Sequence, residues 1–396
     1  MHAMTIIRSR IEKHTQQSHK ARRNALWLAV AGLLLGGMLW PAALGRHRPG
    51  NTTDRHSIKA IDRLLGNSLL FAELKLFYAA ILKVILKLRW RPIILIDATE
   101  LRNNVYALTA SLAHDGRGLL VYAKVASKRA VSNRRFKQGF LRALEQIFPQ
   151  GVIPILVTDA GFQSPWFDDV AEMGWDYVGR VRHRTKFLVD DDWLSCAELH
   201  EKATSQARDL GELAFPQANP RLRRMVLAKA RKSKGRRRAN KTGTKGKTAN
   251  DRRCIKSARE PWLLATSLTC EATGVVNVYA LRMQIEENYR DMKNKRWGWA
   301  LDHYAGKEHS RFQILLLIAA LGVLVQHSVG CAAEKRGLQY SFQANTVRNR
   351  RVLSIFVLGG FLLKARNEGR LTDIDILEGV NELCQRIQIL AGEAPS

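Results

Sequence analysis

Two continuous apolar runs, each closed by an aspartate, constrain the fold of this 396-residue chain more than any other feature. One is Arg91-Pro-Ile-Ile-Leu-Ile-Asp97, the other Val152-Ile-Pro-Ile-Leu-Val-Thr-Asp159. Apolar runs of this length, with no polar alternation, read as strands buried on both faces. Such strands need helices to cover them, which points to a mixed α/β layer. An acid where such a strand ends lies at the rim of the sheet, where open α/β sheets carry their sites.

A third acid lies in the stretch 279–293, Tyr-Ala-Leu-Arg-Met-Gln-Ile-Glu-Glu-Asn-Tyr-Arg-Asp-Met-Lys. At ~3.6 residues per turn, one continuous helix sets Arg282, Glu286 and Lys293 at roughly 300°, 340° and 320° from Tyr279. All four side chains then share an arc of about 60°, while Glu287 points about 100° away from Glu286. The same spacing also describes a solvated helix face with an i,i+4 salt bridge from Arg282 to Glu286. Asp97 and Asp159 upstream favour a functional reading. Three carboxylates are hard oxygen ligands, suited to a pair of divalent cations that cut phosphodiester bonds. Other acids compete less well. Asp190, Asp191 and Asp192 read as a turn, Glu100 falls on the opposite face of a continued strand, and Asp168 and Asp169 sit in a helix.

The charge agrees with a polyanionic partner: 64 Lys+Arg stand against 35 Asp+Glu, a formal net charge of +29. Nucleic acid is the commonest such partner, and an anionic membrane surface is the alternative. The five cysteines, Cys196, Cys254, Cys270, Cys331 and Cys384, include no C-x-x-C pair. The histidines form no H-x3-H or H-E-x-x-H pattern. A zinc ribbon, a disulfide framework and a zinc hydrolase are therefore disfavoured. Ala25 through Leu44 carries no charge. It reads as a transmembrane segment, as a long signal-peptide core, or as two short packed helices broken around Gly36, Gly37 and Pro41.

Strands are expected at Arg91–Asp97, Asn104–Ala113, Leu119–Val125, Val152–Thr158 and Trp175–Val181, with helices at Arg134–Phe148 and Pro165–Gly174. Residues 186–272 show short β-like runs. Within them Lys229 to Arg259 holds 14 Lys+Arg and a single acid, Asp251, which reads as a disordered basic loop able to grip DNA phosphates. Arg311 onward reads as a buried helix, and Phe342–Arg351 as the start of a basic helix. A C-terminal helix over Thr372–Leu390 carries a packing stripe of Ile374, Leu377, Val380, Leu383 and Ile387.

Tyr279, Arg282, Glu286 and Lys293 meet the pattern Y-x2-R-x3-E-x6-K residue for residue. In this the chain resembles the DDE transposases of bacterial insertion sequences. It is similar to the hairpin-forming, cut-and-paste branch of insertion-sequence family four. Arg55–Asn67, Thr158-Asp-Ala-Gly-Phe, Arg259-Glu-Pro-Trp-Leu-Leu-Ala-Thr and Phe342-Gln-Ala-Asn-Thr-Val-Arg-Asn-Arg-Arg-Val extend the likeness over roughly residues 55–360. Ala98 departs from a tryptophan that family members often carry after the first Asp.

The resemblance implies an α/β, RNase H-like catalytic core interrupted by a mostly β insertion domain, with helical N-terminal and C-terminal regions. The expected divisions are a DNA-binding region at 1–88, core at 89–185 and 273–330, insertion at 186–272, and a C-terminal region at 331–396. It implies Asp97, Asp159 and Glu286 as catalytic ligands of two Mg2+ or Mn2+ ions. Tyr279, Arg282, Lys293, Trp262, Arg348 and Arg350 are the expected DNA contacts, with the Trp262 face taking a flipped base. The implied partners are double-stranded DNA, as terminal inverted repeats and target, and a second copy of the chain. The implied setting is the cytoplasm and its nucleoid, with membrane association disfavoured. Two other readings stay open: a metal-dependent nuclease on the same fold, and a non-catalytic DNA-binding remnant, possibly tethered to a membrane.

Overall fold

The computed structural model describes residues 2–86, 90–229, 260–296, 298–344, 346–364, 367 and 369–392. The basic loop at 229–259 therefore lies outside the described residues except for Lys229, as does Cys254. The chain packs as two compact units, one of residues 1–155 with 281–393, the other of residues 156–280.

In the first unit, β1 (Ile93–Arg102), β2 (Val105–His114) and β3 (Arg117–Ser127) form an antiparallel meander. Asn103 and Asn104 make the β1–β2 turn, both with positive φ, 52° and 62°. Two left-handed residues give a turn whose twist matches that of the strands, and asparagine tolerates that conformation better than most residues. β1 runs five residues beyond the expected end at Asp97, so the acid lies within a strand rather than after it. Ile93 to Ile96 are buried, and the alternation begins at Asp97, with Ala98 and Glu100 exposed.

The helix His309–Lys335 packs against β3 and against the helices Lys20–Gly36, Ile355–Leu362 and Asp373–Gly392. It is the one helix among the described residues long and apolar enough to cross a membrane, and its whole apolar window is buried inside this unit. Each fully buried Leu, Ile or Val contributes about 1.5–3 kcal/mol of transfer free energy, which makes this helix the centre of the core.

The uncharged N-terminal stretch forms the helices Lys20–Gly36 and Pro41–Arg46. Gly37, with φ 64°, ends the first, and Pro41 opens the second. The helices cross closely: a Cβ on Gly32 would lie 2.4 Å from the Leu44 carbonyl oxygen. This is the broken, packed arrangement among the three expected, and Leu26, Val30, Leu33 and Leu44 are buried by it.

Two expectations in this unit are corrected. The stripe that the C-terminal helix buries is Ile376, Val380, Leu383 and Ile387, whereas Ile374 is exposed. The i,i+4,i+3,i+4 spacing from Ile376 keeps one face, and Ile374 lies two residues off it. Phe342–Arg351 does not start a helix among its described residues, where a short 3-10 turn at Leu338–Ser341 gives way to irregular chain. Gln343 donates to the carbonyls of Val347 and Arg350, and these bonds close the segment as a loop.

The second unit is built on β4 (Ile155–Thr158), β5 (Asp176–Val181), β6 (Lys186–Val189), β7 (Asp192–Ser195), β8 (Arg208–Phe215), β9 (Arg221–Ala228) and β10 (Trp262–Thr266). Their spatial order is β4-β5-β10-β9-β8-β6-β7. The pairs from β5 through β10, β9, β8 and β6 to β7 are antiparallel. Thus β4 and β5, expected with the first part of the core, pack in one unit with the strands of the expected insertion. Asp190 and Asp191 form the two-residue β6–β7 turn with φ of 48° and 70°, as their clustering suggested. Asp168 is held by Arg223 at 2.5 Å, which accounts for it as a structural acid.

Candidate active site

Within the first unit, Asp97 and Glu286 come together around one guanidinium. Arg282 Nη1 lies 3.9 Å from Asp97 Oδ2 and 3.5 Å from Glu286 Oε1. Asp97 sits on β1, and Glu286 in the first turn of the helix Met283–Lys293. An acid there is favoured by the unpaired amides and the helix dipole. The Asp97 carboxylate is also oriented locally, because Ala98 N donates to its Oδ1 at 2.8 Å.

The helix that carries Glu286 is fastened to the meander by a row of polar bonds. Gln284 Oε1 accepts from His114 N at 2.8 Å, and Asn288 Nδ2 donates to Ser111 Oγ at 3.3 Å. Arg117 Nε pairs with Asp291 at 2.8 Å, and burial pushes the Asp291 carboxyl up against the pull of Arg117. Tyr289 OH donates to the Asp97 carbonyl at 3.1 Å. Burial raises the Tyr289 phenol well above its ordinary range, with Asp97 adding to the effect, so it stays protonated and donates.

Lys293 ends this row. Its Nζ donates to Thr99 Oγ1 at 2.8 Å and to the Glu100 carbonyl. Burial lowers the ammonium's pKa, opposed by Asp302, Glu100, Glu286 and Asp97. The residue expected on the DNA face thus directs its charge at β1.

The expected continuous helix from Tyr279 to Lys293 is corrected. One helix ends at Ala280 and the next begins at Met283, with i,i+3 bonds from Gln284 N to Leu281 O and from Ile285 N to Arg282 O. The break falls where the chain passes from the second unit to the first. The single-helix angle that aligned Tyr279 with Glu286 therefore does not apply. Arg282 and Glu286 remain about one turn apart, with Lys293 about two turns beyond Glu286.

In the second unit, Asp159 directly follows β4 and accepts from Gly161 N at 2.8 Å, which turns the chain toward the helix Ser164–Ala171. Trp262, half-buried at the start of β10, meets Tyr279 edge-on, with ring centroids 4.9 Å apart and planes at 71°. Tyr279 is 4% exposed. Nearby, Glu260 pairs with Arg180 at 3.5 Å and with Arg182. Burial lowers the Arg180 pKa, with Tyr279 and Glu260 opposing the shift. Tyr279 is thus a buried partner of Trp262 and Arg180. Arg348 and Arg350, in the first unit, are exposed.

Among the described residues no three His, Cys, Asp or Glu side chains gather closely enough to ring one ion. The two acids that the first unit does gather still suit a divalent cation. They supply only oxygen donors, and they already hold a positive group between them. Sequence reasoning overlooked Tyr289, Thr109 and Thr99, which join the Glu286 helix to the Asp97 strand. The signal for Tyr289 was present: on the same helical wheel it lies roughly 20° from Arg282.

A mixed α/β fold with paired acids on a strand and a helix, on a strongly basic chain, suits a nucleic-acid enzyme of the phosphodiester class. The pattern of the Transposase DDE domain family matches residues 88–323, more than half of the chain. The chain belongs to that family: it is a DDE transposase, a metal-dependent nuclease and transesterase that binds DNA. DDE transposases generally use divalent metals such as Mg2+. No curated protein matches the chain.

Proposed function

We propose that this transposase moves an insertion sequence by cut-and-paste transposition through a hairpin intermediate, as in insertion-sequence family four. Asp97, Asp159 and Glu286 are the proposed ligands of two Mg2+ or Mn2+ ions. The convergence of Asp97 and Glu286 on Arg282 carries this reading. Bound there, two cations supply an activated nucleophile and a stabilised leaving oxygen.

The chain's own residues do the rest. Cations held by the acids would repel Arg282, whose fork suits the phosphate beside the scissile bond. Trp262, less buried than Tyr279, takes on its ring the base that hairpin formation forces from the stack. Arg348, Arg350 and the basic loop bind DNA phosphates. Tyr279 and Lys293, expected on the DNA face, contribute by holding Trp262 and β1. The enzyme acts as a homodimer on inverted-repeat ends and target DNA, in the cytoplasm.

A radiolabelled transposon end incubated with Mg2+ tests this. Asp97→Ala, Asp159→Ala and Glu286→Ala should each abolish cleavage and leave end binding intact. Efficient nicking by the unmutated protein, with neither hairpin nor strand transfer of a precut end, would instead establish a plain nuclease.

A further inference from the structure

Glu286 and Tyr289 stand one turn apart on the helix Met283–Lys293, and Tyr289 is the side chain that reaches the Asp97 backbone. Its hydroxyl donates to the Asp97 carbonyl oxygen at 3.1 Å and lies 2.6 Å from Thr109 Oγ1. Thr109 is the register partner of Asp97 on β2. A phenol has one proton to give. Thr109 Oγ1 lies 3.4 Å from the same carbonyl, so either hydroxyl can donate the short bond between them while the other donates to Asp97. The result is a hydrogen-bonded chain of Thr109, Tyr289 and the Asp97 carbonyl whose two hydroxyl side chains are buried: Thr109 is 0% exposed and Tyr289 5%.

This chain ends on the main chain of the residue whose carboxylate matters. The carboxylate is itself tied to the same backbone through Ala98 N. Asp97 therefore moves as a unit, and its distance from Glu286 depends on a phenol anchored one turn from Glu286.

We propose that Tyr289, assisted by Thr109, is a positioning residue that sets the separation of the Asp97 and Glu286 carboxylates for cation binding. The proposal rests on the reading of those two acids as metal ligands. Groups outside the ligand set that orient a ligand typically change metal affinity about 10–100-fold.

The test is Mn2+ binding to the full-length protein, read from the electron paramagnetic resonance signal of free Mn2+. Thermal midpoints in chelator are measured in parallel. Tyr289→Phe and Thr109→Val should each weaken Mn2+ binding about tenfold, and Thr109→Ser should restore it. Should Tyr289→Phe fail to fold, Thr109→Val and its serine rescue carry the test. Unaltered Mn2+ affinity in the folded variants, with only a lowered thermal midpoint, would reduce the chain to packing and overturn the proposal. Mn2+ binding that survives both Asp97→Ala and Glu286→Ala would instead overturn the ligand assignment and the proposal with it.

Discussion

The Arg282 guanidinium lies 3.9 Å from the Asp97 carboxylate, reaching from the start of a helix to the middle of a strand. The same nitrogen lies 3.5 Å from Glu286. A cation held between two acids competes with any ion they are to bind. Arg282→Gln should therefore tighten Mn2+ binding several-fold while impairing hairpin formation, because the released guanidinium is what would grip the phosphate. The check is Mn2+ titration alongside a denaturing gel of a labelled end. Weaker Mn2+ binding in the variant would mean that Arg282 organises the acids rather than competing with cations.

Trp262 rests edge-on against Tyr279, which sits beside buried Arg180. Base stacking on an aromatic contributes about 1–3 kcal/mol, and that term is needed only when a base leaves the duplex. Trp262→Ala should nick at close to the normal rate and accumulate nicked DNA over time, whereas Trp262→Phe should recover part of the hairpin. Equal loss of both steps would assign Trp262 to packing.

Lys293 directs its ammonium to Thr99 and to the Glu100 carbonyl. Lys293→Met should lower cleavage and thermal stability without changing how steeply DNA affinity falls with salt. A residue that neutralises one phosphate contributes nearly one unit to that slope. A slope reduced by about one in the variant would return Lys293 to the DNA face.

His114 Nε2 and His327 Nδ1 lie 3.1 Å apart in the core of the first unit. Burial lowers His114 to about 4; Asp115 opposes the shift, and Arg386, Arg351 and Arg117 reinforce it. His327 is lowered too, by burial, His114 and the same Arg117 and Arg351. Below about pH 6.5 the unfolded chain takes up protons that the folded chain refuses, so stability falls as pH drops from there toward 4. For His114 alone the loss is on the order of 3 kcal/mol. Urea unfolding between pH 7.5 and 4.5 should show it, and His114→Gln should flatten that part of the profile.

Gly32 faces the Leu44 carbonyl with no space for a Cβ. Gly32→Val should destabilise the first unit by about 1–3 kcal/mol or more through overpacking. Gly50 has open space around it at φ 135°. A substitution there should cost only backbone strain. Thermal midpoints of the two variants make the comparison.

Much of the local structure was legible because it rests on short-range rules. The apolar runs before Asp97 and Asp159 became β1 and β4, Asp190 and Asp191 of the acid run became a turn while Asp192 opened β7, and Gly37 and Pro41 broke the N-terminal stretch. The burial of His309–Lys335 was also readable, though its apolarity alone would have suited a membrane equally well. Periodicity places residues relative to their own helix and goes no further. It therefore carried a single helix through Leu281 and Arg282, where the passage between packed units interrupts it. It also chose Ile374 over Ile376, since both are apolar and only the neighbouring helices decide which face is covered. Lys293 and Tyr279 were singled out as DNA contacts by charge and aromaticity, which do not state a direction. That Lys293 turns to β1, and that Tyr289 rather than Tyr279 joins the acid helix to Asp97, followed from the register of β1 on β2 and from how the helix lies across them. Those are long-range relations, set by packing elements far apart in the chain, which no local pattern encodes.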